Sequence, residues 1–468
     1  MKAPQASQSN GGTAISNAPE PSAIGSARAE ITAPTDWRGI LKQIGPGLII
    51  SAVIVGSGEL IVTPKLGAQV GFIMLWFIVL GCFIKVFVQI ELGRFAISRG
   101  MTTLEAMNSI PGPRWIVSWL LWLWVLMYVA LIFQVAGMVG ALATVFKLAG
   151  LQFPVNGLAL GVGLLTAVLL VIGRYKLVEK LSTALVAIFT VCTLVAVGAL
   201  QTTPYAITGE DLMSGLRFRL PSDFTTAFAA FGIIGVGASE LIYYPYWCLE
   251  KGYAKSVGPF EPTESWRDRA KGWLRVMKID TWICFAIYTT ATLAFYLLGA
   301  AVLHAKGLVV ANEQMIETLS HMYRETFGQW SFWFFLVGAF AVLYSTVFGA
   351  TASNARLLAD ALQLFKIVRY RDADHRAAAI KVACVILPVA FTTVFVLVGE
   401  PVTLVFVGAL AQALMLPFLA FAAVYFYHCR TEKALLPGKA WAACLWFAAL
   451  AMSSVGIYKM VEEIGKRL

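Results

Sequence analysis

Charged residues are scarce in this 468-residue chain: Asp, Glu, Lys and Arg make up 13% of it, where a soluble protein carries about 25%. That excludes a soluble globular enzyme. Histidine is scarcer still. The four present, His304, His321, His375 and His428, fall in loops or at the ends of apolar runs, so none is placed to act as an imidazole ligand in the middle of a membrane. Seven cysteines show no CxxC spacing, which argues against zinc and against a disulfide framework and leaves them as small apolar packing residues. Residues 1–36 lack any apolar run or signal-peptide core and are rich in Ala, Ser, Pro, Gly and Asn, the composition of a disordered tail.

What the chain has in abundance is hydrophobic residues, 59% of the total, arranged in uncharged runs of roughly 20, the length that crosses a bilayer core. These place spans near 44–65, 71–92, 115–146, 155–173, 181–200, 224–249, 280–303, 330–362, 382–399, 404–428 and 440–458. The expected product is an all-α polytopic membrane protein with a single transmembrane domain over residues 37–468. Lys and Arg outnumber Asp and Glu by 36 to 26, but their position along the chain points to membrane topology and not to a nucleic-acid partner. Roughly 26 of them fall on the side of the amino terminus and about 9 on the other. The positive-inside rule then predicts a cytoplasmic amino terminus and, with eleven spans, an external carboxyl terminus. The segment Glu250 to Asp280 reads as a long cytoplasmic loop.

Span 1 contains Val55-Gly56-Ser57-Gly58-Glu59-Leu60-Ile61 and span 6 contains Val236-Gly237-Ala238-Ser239-Glu240-Leu241-Ile242, identical at five of seven positions. The two spans head halves of five spans each, about 44–200 and 224–428, with 440–458 left as an extra helix. Five is odd, so the halves enter the membrane from opposite sides, the inverted-repeat plan of many secondary transporters. Gly and Ser in mid-span weaken a helix, and unwound backbone at membrane depth is tolerated where it lines a protein-enclosed cavity. Close helix packing would account for the small residues but not for two glutamates, since a carboxylate at that depth is costly unless it faces a polar pathway or a partner.

Gly45-Pro46-Gly47 through Gly56-Ser57-Gly58-Glu59 to Gly67-Ala68-Gln69-Val70-Gly71 resembles the first span and following turn of the Nramp family of divalent-metal transporters. Leu104-Glu105-Ala106 after span 2 and Leu416-Pro417-Phe418 in span 10 extend the resemblance. It covers most of the chain from about residue 40 and implies a LeuT-type fold, with spans 1–5 and 6–10 as inverted repeats around a cavity between spans 1, 6, 3 and 8. The departures fall in the chemistry. Gly56-Ser57-Gly58-Glu59 stands where the family has Asp-Pro-Gly-Asn, and Ala238-Ser239-Glu240 where it has Met-Pro-His. The family's acidic residues in span 3 correspond to Gln134 and Gly137, and span 3 contains no Asp or Glu.

The expected substrate site is therefore Glu59 and Glu240 as metal ligands, with Gly56, Ser57, Gly58, Gly237, Ala238, Ser239, Tyr243, Gln134 and Gln412 around them. Gly56, Gly58 and Gly237 are its candidate flexible points. Loss of the thioether and gain of two carboxylates shifts such a site toward hard cations, Mg²⁺ or Mn²⁺ and their like. Two carboxylates facing one cavity would repel until one takes a proton, which a cation could then displace. Ser345-Thr346 in span 8 resembles the hydroxyl pair of LeuT-type sodium symporters, and hydroxyls bonded to their own helix are the simpler account. The leading reading is a secondary transporter of divalent cations in a bacterial-type plasma membrane, with proton coupling. The alternative is a carrier of a small organic solute or organic cation on the same fold, its ammonium held by Tyr243, Tyr244, Tyr246 and Trp247 and its coupling ion sodium. No cofactor is called for, and no nucleophile or metal constellation of an enzyme stands out. Lys65 and Lys85 read most simply as snorkelling or paired charges.

Overall fold

A computed structural model describes residues 31–56, 58–173, 175–307 and 315–465. The disorder expected of residues 1–30 and the role expected of Ser57 lie outside the described residues, as do the side chains of Glu59 and His321. Ile31 to Pro34, expected to belong to the disordered tail, instead have neighbours: Trp273 Nε1 donates to the Ile31 carbonyl at 2.8 Å, and Asp36 caps the short helix Trp37–Gln43 by accepting from Gly39 N.

Ten described helices are long and apolar enough to cross a membrane. They are span 2 (Leu75–Arg99), span 3 (Trp119–Leu148), span 4 (Val155–Ile172), span 5 (Tyr175–Leu200), span 6 (Thr225–Lys251), span 7 (Glu264–His304), span 8 (Trp330–Leu364), span 9 (Ala373–Val398), span 10 (Pro401–Cys429) and span 11 (Lys439–Lys459). Span 1 precedes them in two pieces, Pro46–Ile54 and a π-helical turn Gly58–Val62 that runs on into Thr63–Val70.

Some boundaries differ from the sequence reading, for local reasons. Span 7 begins at Glu264, so most of the expected loop Glu250 to Asp280 is helix. Thr263 caps it by accepting from Trp266 N, and Trp266, Trp273, Leu274 and Met277 give it a buried face beneath the basic residues that disguised the helical period. Span 2 runs on to Arg99 because Arg94 and Glu91 pair inside the protein at 3.0 Å, Arg94 Nη1 also donating to the Leu435 carbonyl and Trp441 Nε1 to Glu91. Of the cysteines, all seven are free, and Cys429 and Cys444 are exposed, so the packing role does not extend to those two.

The inverted repeat is written in the packing. Span 3 lies on span 10 and span 8 on span 5; the first half of span 1 lies on span 5 and the first half of span 6 on span 10; span 7 meets span 1 as span 2 meets span 6. Each contact becomes its partner when every span is advanced by five. The matching breaks of spans 1 and 6 are thereby brought face to face: a Cβ on Gly58 would lie 3.2 Å from the Ile233 carbonyl.

At the end of the bundle richest in Lys and Arg, spans 2 and 3 are joined through the helix Thr103–Asn108, closed by a reciprocal cap between Thr102 and Glu105. Burial, with the nearby charge of Asp360 adding to it, pushes the Glu105 carboxyl up to about 7. A carboxyl raised on folding binds more protons in the folded state, so stability falls as pH rises from the unfolded value through about 7. Glu105→Gln keeps the cap and removes the titration. The variant is expected to melt higher than the native protein at pH 8, by about 1–3 kcal/mol of stability, and to match it at pH 5; equal melting curves at both pH values would refute this.

Candidate functional site

The first half of span 6 ends at Ile233, and Ile234 to Gly237 are unwound before the second half starts at Ala238. Gly235 carries the turn with φ +57, and a Cβ there would sit 3.0 Å from both Cys82 Sγ and the Tyr288 ring, so this position needs glycine for conformation and for space. Sequence reasoning had singled out Gly237, which caps the second half with extended backbone, and had passed over Gly235. Gly56 in the span 1 break is tied to glycine by close approach, because a Cβ would collide with the Thr346 side chain.

Glu240 lies in the first turn of the second half-helix, where the positive end of the helix dipole favours a carboxylate. It is 6% exposed. Its Oε1 accepts from Ser239 Oγ at 2.8 Å. Ser239 N donates to Gln412 Oε1 of span 10 at 2.9 Å, an oxygen that also lies 2.9 Å from Ser239 Oγ as the alternative acceptor of its one proton, and Gln412 Nε2 donates to Gln134 Oε1 of span 3 at 2.9 Å. A chain of amides thus ties the break of span 6 to both neighbouring helices and leaves a Glu240 oxygen directed at Gly237. Gln134 and Gln412, 278 residues apart, are brought together as expected of cavity residues.

A small cavity lies between the breaks, lined by Glu240, Ser239, Gln134, Gln412, Tyr243 and Thr346 together with the apolar side chains of Val53, Ile54, Leu131, Val135, Met138, Ile233 and Ala350. Its free volume, ≈ 10 Å³, is about that of one water-sized sphere. Met138 was missed by sequence reasoning: it supplies from span 3 a thioether that the sequence had appeared to remove from span 6. Tyr243 turns its hydroxyl to Asn354 Oδ1 at 2.8 Å, Tyr244 to Asp280 at 3.0 Å, and Trp247 Nε1 donates to Ser353 Oγ at 3.0 Å. These aromatics therefore bond between helices, and the Trp247 face already carries the Arg356 guanidinium, 4.3 Å from the ring centroid.

Ser345 and Thr346 sit at the end of the first half of span 1. Ser345 Oγ donates to the Ala52 carbonyl at 2.8 Å, and Thr346 Oγ1 approaches the Ala52 and Val53 carbonyls at 3.2 and 3.0 Å. Each hydroxyl also reaches Val342 O in its own helix. Ala238 begins the second half of span 6 and Gly58 the π-helical turn. Among the described residues no group of three His, Cys, Asp or Glu side chains converges on one point.

With this geometry in hand, comparison with known proteins is direct. The profile of the family described as natural resistance-associated macrophage protein-like matches residues 47–462. The chain belongs to the Nramp family. It is 24% identical over 454 residues to the divalent metal cation transporter MntH of Xanthomonas campestris pv. campestris, covering 95% of this chain and 96% of that one. A manganese transporter of Eremococcus coleocola, solved as a variant, superimposes with a TM-score of 0.67 at 16% identity over 93% of this chain and 90% of that one. Mhp1, a nucleobase-cation-symport-1 family transporter solved with bromovinylhydantoin bound, superimposes with a TM-score of 0.56 at 15% identity over 92% of each chain. This Nramp chain thus has the LeuT-type fold.

Proposed function

We propose that this Nramp protein is a secondary transporter of divalent metal cations that works by alternating access, with Glu240 at its cation site. The observation that carries the reading is a buried carboxylate on a cavity of ion size at the junction of two helix breaks. An organic solute is disfavoured on two grounds: three of the four aromatics that would have held it, Tyr243, Tyr244 and Trp247, are engaged between helices, and the relatives matched are named as divalent metal and manganese transporters.

The ligand set we assign is Glu240, Gln412 and Gln134 oxygens with Glu59 from the facing break, and Met138 as a soft contributor. The thioether moves the expected preference back from Mg²⁺ and Ca²⁺ toward Mn²⁺ and similar ions. Protons are the coupling ion in this reading, exchanged at the glutamates. The Ser345 and Thr346 hydroxyls, engaged with carbonyls of spans 1 and 8, favour a structural role over a sodium site. In this reading the excess of Lys and Arg on the amino-terminal side puts the amino terminus in the cytoplasm and the carboxyl terminus outside a bacterial plasma membrane.

The test is uptake of Mn²⁺, Mg²⁺ and Ca²⁺ into proteoliposomes with internal pH recorded. Mn²⁺ uptake with a coupled change of luminal pH is expected. Absence of uptake of all three by folded protein would overturn the reading, and uptake without any pH change would remove the proton coupling. Met138→Leu is expected to lower Mn²⁺ uptake several-fold while leaving Mg²⁺ uptake within about twofold; an equal effect on both ions would show that Met138 only packs.

A further inference from the structure

Lys85 lies in the middle of span 2, an apolar helix of 25 residues, and is fully buried. A lysine at that depth is costly unless its charge is met. It is met here by main chain. The ammonium donates to the carbonyls of Phe231 and, at 2.8 Å, Ile234, and it stands 4.7 Å over the centroid of the Phe231 ring.

Those carbonyls belong to the last turn of the first half of span 6 and to the residue just beyond it. They are the acceptors a helix end leaves without intrahelical donors, at the negative end of the helix dipole. Two such carbonyls and an aromatic face make a cage suited to a small cation. Gly235 then turns the chain in a left-handed conformation against Cys82, one helical turn before Lys85, so the break wraps around this face of span 2. The break of span 1 is treated differently: its Ala52 and Val53 carbonyls receive neutral hydroxyls.

We infer that the break of span 6 is a monovalent-cation site whose occupant is the protein's own Lys85 ammonium. Lys85 is a positioning residue: it holds the unwound segment in shape. The same cage takes a free alkylammonium once the tether is cut. This deepens the transport reading, but its main test does not depend on it.

Lys85→Ala leaves a void the length of n-propylammonium, and Lys85→Met fills the same space without charge. Both purified variants are expected to melt about 5 °C or more below the native protein. Millimolar n-propylammonium should return Lys85→Ala toward the native melting temperature by binding the folded state, with no effect on the native protein or on Lys85→Met. If neither variant folds on extraction, recovery of folded Lys85→Ala with n-propylammonium present gives the same answer. Native-like melting of both variants, or a destabilised or unfolded Lys85→Ala that neither n-propylammonium nor alkali cations restore, overturns the inference. The Mn²⁺-induced rise in melting temperature is measured alongside. Its absence in the native protein would count against divalent-metal transport and leave the Lys85 result standing, whereas its loss in Lys85→Ala and return with n-propylammonium links the two sites.

Discussion

Glu240→Gln is expected to lower divalent-cation uptake by about 100-fold or more while the folded protein melts within a few degrees of the native one. The substitution preserves shape and leaves an oxygen to accept from Ser239 Oγ, which lies 2.8 Å from Oε1. The amide chain through Gln412 and Gln134 is untouched. What it removes is one of the two carboxylates assigned to the cation, beside a cavity whose other described lining residues are neutral. A divalent ion stripped of water has no comparable compensation from amide oxygens alone. Loss of charge also removes a buried ion that the apolar surroundings penalise, so stability is expected to hold or rise slightly. Glu240→Asp keeps the charge but withdraws it by one methylene, and an intermediate loss of uptake is expected from it. Uptake by Glu240→Gln within a few-fold of native would remove this carboxylate from the cation site; the metal-induced rise in melting temperature separates lost binding from lost turnover.

How far the sequence led to this site depended on whether the signal was local. The breaks were legible because glycine and serine in mid-span weaken a helix wherever they occur, and the match between Val55–Ile61 and Val236–Ile242 located both and implied the inverted halves. Glu240 followed from its depth. Contributions from neighbours in space were harder to read. Met138 lies one helical turn beyond Gln134, which marks the cavity face of span 3, but a methionine in an apolar stretch carries no signal that separates a ligand from packing. Lys85 was visible as an oddity, but its partners are main-chain carbonyls about 150 residues away, and no side-chain pattern announces those. Gly235 escaped because the matching segment starts one residue later. The start of span 7 was hidden for another reason: a charged, one-sided helix reads as a loop when the search is for uncharged runs.

Asp280→Ala is expected to cost about 3–5 kcal/mol, seen as a fall in melting temperature of about 5–10 °C. Span 1 begins Gly45-Pro46-Gly47, with a capping residue that has no side chain and a proline that has no N–H. The acceptor for its first amides comes from span 7: Gly45 N donates to Asp280 Oδ1 at 3.2 Å and Gly47 N to Oδ2 at 2.7 Å. Tyr244 of span 6 donates to the same carboxylate at 3.0 Å, and Thr281 Oγ1 donates to Tyr244 at 2.9 Å. Gly47 is required for the approach, since a Cβ there would lie 2.7 Å from the Asp280 carbonyl oxygen. Alanine at 280 strands two buried amides, each worth about 1–3 kcal/mol when left without an acceptor, while the Tyr244 hydroxyl keeps the Met277 carbonyl at 3.1 Å. Asp280→Asn retains one acceptor oxygen and is expected to lose roughly half as much. The consequence reaches function because this carboxylate binds spans 1, 6 and 7 into one body. If alternating access is a rocking of spans 1, 2, 6 and 7 against the rest, as the resemblance to LeuT-type transporters implies, the broken helices must move together, and Asp280→Ala is expected to reduce uptake more than its fraction of unfolded protein explains. Melting and uptake indistinguishable from native would show that the three spans are joined by packing alone.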